Sequence, residues 1–158
     1  MIHIEITSAA EAAAIRTLAR SEPLFSTQEV EVVDELLDDY LQRADHHGYF
    51  FLSAWQDEAL AGFACYGPTP MTDGTYDLYW IAVAPAWKGQ GVGRALLAAV
   101  ESDVRARGGH LLVLDTSGRP DYAGTRSFYE HLGFTQTATV PDFYATGDDL
   151  VIFTHRLA

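Results

Sequence analysis

Trp80 to Leu97 reads WIAVAPAWKGQGVGRALL, and three changes of character within it decide how the chain folds. Leu78 to Val83 is an apolar run rich in β-branched and aromatic residues, as in a buried strand. Pro85 ends it, having no N–H to give to a ladder. Lys88, Gly89, Gln90, Gly91, Val92 and Gly93 follow with glycine at every second position, so the backbone can turn tightly and approach a ligand without a Cβ in the way. A helix then starts, with Val92, Leu96, Leu97, Val100 and Val104 at helical spacing and Glu101, Ser102, Asp103, Arg105 and Arg107 on the other side. Unpaired N–H groups on a bare backbone, beside Lys88 and Arg94, suit an anion, most simply a phosphate or diphosphate. The same run also reads as ordinary loop chemistry before a helix. No Gly-Lys-Ser or Gly-Lys-Thr follows, which excludes a P-loop, and glycines at 89, 91 and 93 lack the spacing of dinucleotide-binding folds.

Outward from this stretch the chain mixes strands and helices. Ile2, Ile4 and Ile6 alternate with His3 and Glu5 at the period of a half-buried strand. Ser8 with Glu11, and Ser26 with Glu29, have the form of capping boxes and open two helices. The first runs to about Arg20, before Pro23; the second carries Val30, Val33, Leu37, Tyr40 and Leu41 on one face and acids largely on the other. Between them Leu24 and Phe25 either pack inward, the preferred reading, or line a pocket. Tyr49 to Trp55 and Leu60 to Tyr66 read as an antiparallel hairpin. The helix after the glycine loop closes at Gly108 and Gly109, and His110 to Thr116 is another apolar run, so a right-handed βαβ unit with parallel strands is expected. Asp121 to Leu132 forms a helix ended by Gly133, and Phe134 starts a strand. Thr139 to Asp149 reads as a loop bearing Phe143 and Tyr144, and Leu150 to Leu157 closes the sheet. The expected class is α/β, with a mixed sheet of about seven strands.

The 158 residues suit one domain, 1–158, with 48% hydrophobic and 20% charged residues as in ordinary globular chains. Ten Lys and Arg against 22 Asp and Glu give a net charge of -12, which disfavours nucleic acid and anionic lipid and attracts a cationic partner. Much of that acid lies between Glu29 and Asp45, where it reads as a solvated helix face. Cys65 is the one cysteine and reads as a small core residue. No basic start with a long apolar run and no membrane-length apolar stretch is present, so a cytoplasmic location is expected. Of the six histidines, His46 and His47 are adjacent and read as a solvated turn; none forms a metal-ligand set.

The glycine stretch resembles the acetyl-CoA-binding motif of the GNAT family of N-acetyltransferases. In that motif an Arg or Gln, two free positions, a Gly, one free position and a Gly or Ala bind the diphosphate. Lys88, Gly91 and Gly93 match it, Lys88 keeping a donor in place of the Arg or Gln. A second stretch, TRSFYEHLGF from Thr125 to Phe134, resembles the family's helix bearing Phe-Tyr and closing in Gly-Phe, in the family's order and separation. The resemblance implies a GNAT-like acyl-CoA N-acyltransferase fold, centrally splayed with helices on both faces. It also implies acetyl-CoA, no metal, and direct attack by a primary amine of a small molecule or peptide. A catalytically silent CoA- or acyl-CoA-binding sensor is the alternative, and a homodimer is compatible with the family.

The same resemblance assigns residues. The strands are expected to splay beyond Val83, with main-chain groups of Ile81 and Val83 pairing with the pantetheine arm and a backbone N–H near Val83 or Ala84 facing the acetyl carbonyl. Lys88, Gly89, Gln90, Gly91, Val92, Gly93 and Arg94 would hold the diphosphate, with Tyr122 and Arg126 able to meet the cofactor, although Tyr122 stands where many relatives have Asn. Asp77 is the candidate base, acting through water, where several relatives place a Glu; period 2 puts it on one face with Tyr79, Ile81 and Val83. It reads equally as a strand-end carboxylate after a turn. Tyr129 matches the general acid, its alternative being a core tyrosine beside Phe128. Phe25, Tyr79, Thr116, Ser117, Phe143 and Tyr144 are candidates for the acceptor site, although Thr116 and Ser117 also read as a turn cap.

Overall fold

The computed structural model describes residues 1–42 and 48–157. The expected turn at His46 and His47 and the acid at Asp45 lie outside the described residues. Seven strands form one sheet: β1 (Ile2–Ile6), β2 (Phe50–Gln56), β3 (Ala59–Pro68), β4 (Thr75–Val83), β5 (Leu111–Ser117), β6 (Thr135–Ala145) and β7 (Asp148–Arg156), in the order β1-β2-β3-β4-β5-β7-β6. Helices α1 (Ala12–Ser21), α2 (Thr27–Gln42), α3 (Val92–Ala106) and α4 (Ala123–His131) connect them. The pair β4 and β5 is parallel and every other pair antiparallel. No described helix is long and apolar enough to cross a membrane.

The helices start where side chains satisfy their free N–H groups. The Glu11 carboxylate accepts the Ser8 N–H at 2.7 Å ahead of α1, and Ser26 and Glu29 exchange bonds of 3.1 Å at the start of α2. At the other end of α3 the Gly109 N–H reaches back to the Val104 carbonyl at 2.8 Å. Gly108, at φ +85°, supplies the left-handed residue this closure needs.

Two cores result, one on each face of the sheet. Ile15, Leu18, Val33, Leu37 and Tyr40 of α1 and α2 pack on Phe51, Phe63, Cys65 and Ala82. Val92, Leu96, Leu97, Val100 and Val104 of α3 pack with Tyr129 of α4 on Ala64, Leu78, Leu112, Leu114 and Phe153. Cys65 is a buried core residue, as expected.

One element departs from the sequence reading. Thr139 to Asp149 is not a loop: β6 runs to Ala145 and turns at Gly147 directly into β7. Pro141 is tolerated because β6 is the sheet's outer strand, where a missing N–H breaks no ladder bond on the solvent side. Asp142, at φ +54°, lies in the irregular stretch between Val140 and Ala145, and its N–H donates to the Asp149 carboxylate at 2.9 Å.

β3 passes close under α3 because Gly62 has no side chain. A Cβ there would lie 2.6 Å from the Ala82 carbonyl oxygen and 3.1 Å from Leu96 Cδ1. Gly62→Ala is therefore expected to destabilise the fold by about 1–3 kcal/mol through overpacking, read as a lower urea midpoint at unchanged slope.

Candidate functional site

The parallel ladder between β4 and β5 holds three register pairs, Thr75 with Leu111, Tyr76 with Leu112 and Asp77 with Val113. Beyond Asp77 each strand keeps only its outer partner, β4 pairing with β3 to Val83 and β5 with β7 to Ser117. A wedge-shaped gap therefore opens at Asp77, six residues earlier in β4 than the sequence reading placed it. Its cause is an extra residue, Tyr79, inserted between Leu78, which pairs with Tyr66, and Trp80, which pairs with Cys65. Such a bulge bends and twists its strand away from a straight ladder.

The hydrogen-bond alternation shows which main-chain groups face the gap. Ala84 donates its N–H to the Ala61 carbonyl at 2.7 Å, so Ala82 and Trp80 also turn their polar groups toward β3. Those of Ile81 and Val83 point the other way. On β5, Gly118 donates to the Asp149 carbonyl at 2.8 Å and Leu157 to the His110 carbonyl at 2.8 Å. Asp115 and Ser117 accordingly turn their main-chain groups into the gap. Because the Ala84 N–H is already committed to Ala61, it is not free to face an acyl oxygen.

At the wide end of the gap lies the glycine loop. Gly89 and Gly91 have φ of +78° and +86°, and a Cβ on either would meet no atom within 4 Å. The cradle is thus open above its backbone, and Gly91 caps α3. Gly93 is different: a Cβ there would lie 2.8 Å from Phe128 Cζ, so this glycine admits the ring of α4 against the first turn of α3. The Val92 side chain is buried in the core, leaving only its backbone for a ligand. Gln90 Nε2 folds back onto the Ala86 carbonyl at 3.1 Å, while Arg94 is exposed. Lys88 Nζ lies 3.4 Å from the nearly buried Glu22 carboxylate, in the loop between α1 and α2.

On the α1/α2 face of the gap stands Asp77, whose Oδ2 accepts from Thr69 Oγ1 at 2.8 Å and from the Tyr79 hydroxyl at 3.5 Å. Tyr79 packs edge-on against Tyr49 at 5.4 Å. The bulge corrects the strict period of two: Asp77, Tyr79 and Trp80 share this face, whereas Ile81 and Val83 pack on the α3 side. Asp115 lies on the same face, two residues beyond the partner of Asp77. Burial, then the charge of Asp77, raises the Asp115 carboxyl above the ordinary range. Tyr144 comes from β6, its phenol pushed up to about 12 by burial and by the charges of Asp115, Asp148 and Glu29. Phe143 is more than half exposed, and Phe25 packs against the α1/α2 core.

The turn after β5 closes the site. The Tyr122 hydroxyl donates to the Leu24 carbonyl at 2.9 Å, which ties it to the α1–α2 loop. That loop therefore spans the mouth of the gap, held to one lip by Glu22 and Lys88 and to the other by Leu24 and Tyr122. Arg126 Nη1 donates to the carbonyls of Ser117 at 2.8 Å and Arg119 at 2.9 Å. Ser117 bonds the Asp148 carboxylate and accepts the Arg119 N–H at 3.1 Å, the turn-capping role, while Thr116 is buried on the opposite face. Tyr129 lies on that α3/α4 face, with ring contacts to Phe128 at 5.4 Å and Phe134 at 5.7 Å. Burial raises its phenol, so the hydroxyl stays protonated at any working pH. Among the described residues no cluster of three or more His, Cys, Asp or Glu is placed to hold a metal.

Glu22, Asp115 and Asp148 were not singled out from sequence. Asp115 had a signal: it interrupts the apolar run of β5, where a charge has no reason to sit unless that part of the strand is open.

The acetyltransferase (GNAT) family matches residues 12–134. A solved GNAT-family protein from Desulfovibrio desulfuricans is 45% identical, with each chain covered over 100% of its length and a TM-score of 0.96. The L-methionine sulfoximine/L-methionine sulfone acetyltransferase of Salmonella typhimurium is 31% identical over 96 residues, which is 60% of this chain and 55% of that protein. The chain thus matches about half the length of that curated relative. The Salmonella typhimurium protein yncA, solved with its cofactor acetyl-CoA, shares the fold at a TM-score of 0.78 and 22% identity, covering 100% of this chain and 95% of that one.

The raised carboxyl of Asp115 has a consequence for stability. Its ionised form is disfavoured in the folded state, so the penalty is complete above its folded pKa and vanishes below its unfolded value. Because Asp115 is exposed and its charge screened by solvent, Asp115→Asn is expected to raise the melting temperature only slightly at pH 7, with the two proteins converging below the ordinary carboxyl pKa. A scan in which the variant melts lower at pH 7 would contradict this reading.

Proposed function

The chain belongs to the acetyltransferase (GNAT) family, and from that premise we propose that it moves an acetyl group from acetyl-CoA to a primary amine by direct attack. The observation that carries this reading is the gap itself, whose unpaired main-chain groups lead from the narrow end at Asp77 to an open glycine cradle. The residues fit the cofactor. The backbone from Lys88 to Arg94, with its free helix N-terminus, would hold the diphosphate, and Ile81 and Val83 would pair with the amides of the pantetheine arm as an added strand does. Lys88 reaches that cradle from its pair with Glu22.

Acetyl-CoA supplies the acetyl group activated as a thioester; the chain positions it and handles protons. Asp77 and Val83 are six residues apart, about 20 Å along an extended strand, too far to serve one carbonyl. The gap-facing N–H nearer Asp77 is that of Ile81, and we assign it the developing charge on the acyl oxygen. An aliphatic amine is mostly ammonium at neutral pH, with a pKa of about 10, and must lose a proton before it attacks. Asp77 would take it through water on the α1/α2 face, and the same water path would carry off the second proton that the nitrogen loses as the amide forms. Tyr129, kept protonated by burial, would donate toward the departing sulfur on the α3/α4 face. Base and acid thus lie on opposite sides of the sheet, with the gap between them.

Two substitutions separate the halves of this scheme. Tyr129→Phe should lower kcat by about 100-fold or more with acetyl-CoA affinity nearly unchanged. Gly91→Val should lose most acetyl-CoA affinity by calorimetric titration, since a β-branched residue is strained at φ +86° and blocks the backbone. Wild-type affinity in Gly91→Val would remove the cradle from the scheme. Saturable acetyl-CoA binding without amine-stimulated thiol release would favour a sensor.

A further inference from the structure

The α1/α2 wall of the gap carries negative charge that the protein does not neutralise. Asp77 and Asp115 stand on this face on its two strands, with Asp148 and Glu29 close to Tyr144 at the rim. Among the described residues none of these four carboxylates forms an ion pair with Lys, Arg or His. Their partners are neutral: Thr69 and Tyr79 for Asp77, Ser117 for Asp148, and the Ser26 N–H for Glu29. Of the cations around the mouth, Lys88 pairs with Glu22 and Arg119 with Asp121 at 3.2 Å, Arg126 is held on the carbonyls of Ser117 and Arg119, and Arg94 stands exposed at the cradle.

Resting on the transferase reading, we infer that Asp115, acting with Asp77, selects acceptors carrying a second positive charge, so that the amine acetylated is one end of a short diamine or polyamine. A single ammonium presented for attack must give up its proton and can leave its charge behind. With that proton on Asp77, Asp115 and the rim carboxylates Asp148 and Glu29 have nothing to bind unless the acceptor brings another ammonium. The surroundings suit such a chain: the Tyr79 hydroxyl bonds Asp77, the Tyr122 hydroxyl ties the α1–α2 loop to the mouth, and Tyr144 lies near the charges of Asp115, Asp148 and Glu29. An α-amino acid is poorly matched, because its carboxylate would enter beside Asp77 and Asp115, neither of which has a Lys, Arg or His partner among the described residues. The raised carboxyl of Asp115 agrees with this: a cation arriving there relieves a repulsion already present in the protein alone.

The test compares putrescine, spermidine, n-butylamine and L-methionine as acceptors at saturating acetyl-CoA, by thiol release, for the wild type, Asp115→Asn and Asp115→Glu. Spermidine binding to the CoA-loaded protein is measured in parallel by calorimetry. The expected ratio of kcat/KM for the diamines over n-butylamine is about tenfold or more, the worth of one partly screened charge contact. That ratio should collapse in Asp115→Asn and recover largely in Asp115→Glu, and spermidine binding should weaken in Asp115→Asn and with added salt. Equal use of n-butylamine or L-methionine, or a ratio untouched by Asp115→Asn, overturns the inference while leaving the transferase reading intact. Acetyl-CoA binding with no turnover of any amine overturns the transferase reading instead. The spermidine titration then decides the charge selection alone, and absence of Asp115-dependent binding overturns it.

Discussion

A peptide N–H or C=O inside a sheet must find a partner, and this sheet leaves a row of them without one. β4 and β5 pair over three residues and then part, yet both stay anchored on their outer sides to β3 and β7. Neither strand can swing back to close the gap without breaking the ladder behind it. The exposed groups of Ile81 and Val83 are therefore a standing demand for an extended, amide-bearing ligand. The glycine loop is placed where such a ligand's anionic end would emerge, because it connects the end of β4 to the first turn of α3. Strand, loop and helix form one device with an apolar and a charged compartment, and removing any part leaves the others without purpose.

Charge is distributed along the same axis. Lys88, Arg94 and the positive end of the α3 dipole gather at the wide end of the gap, whereas Asp77 and Asp115 occupy the narrow end and its α1/α2 wall. The α1–α2 loop touches both regions, through Glu22 on the cradle side and Leu24 on the opposite lip. A pair such as Glu22 with the half-exposed Lys88 contributes little stability, so it orders the loop without locking it. On a chain of net charge -12, this cationic end stands out as the place for an anion to approach.

Periodicity and turn chemistry are local, and what depends on them was legible in the sequence. The two capping boxes, the βαβ unit, the closure at Gly108 and the buried faces of α2 and α3 all follow from residues within a few positions of one another. Gly89 and Gly91 also behave as read, at positive φ beneath open space. Gly93 does not, because its requirement is set by Phe128 on another helix, which no local pattern reports. The same holds for Lys88 with Glu22 and for Tyr122 with Leu24, contacts between elements far apart in sequence.

The most consequential difference comes from a single residue. Strict alternation from Asp77 to Val83 puts Asp77, Ile81 and Val83 on one face, but the extra residue at Tyr79 shifts the phase, so Asp77 and Ile81 look in opposite directions. Nothing in YDLYWIAV marks the insertion, because Leu, Tyr, Trp and Ile are all good strand residues that can be buried on either side. The bulge shows only in the register of β4 against β3, which is a property of the sheet and not of β4 alone. Without it the main-chain edge of β4 would follow the register set at Asp77 and have no reason to leave β5. The residue that is least visible in the sequence is therefore the one that opens the gap and sets Asp77 and Tyr129 on its two sides.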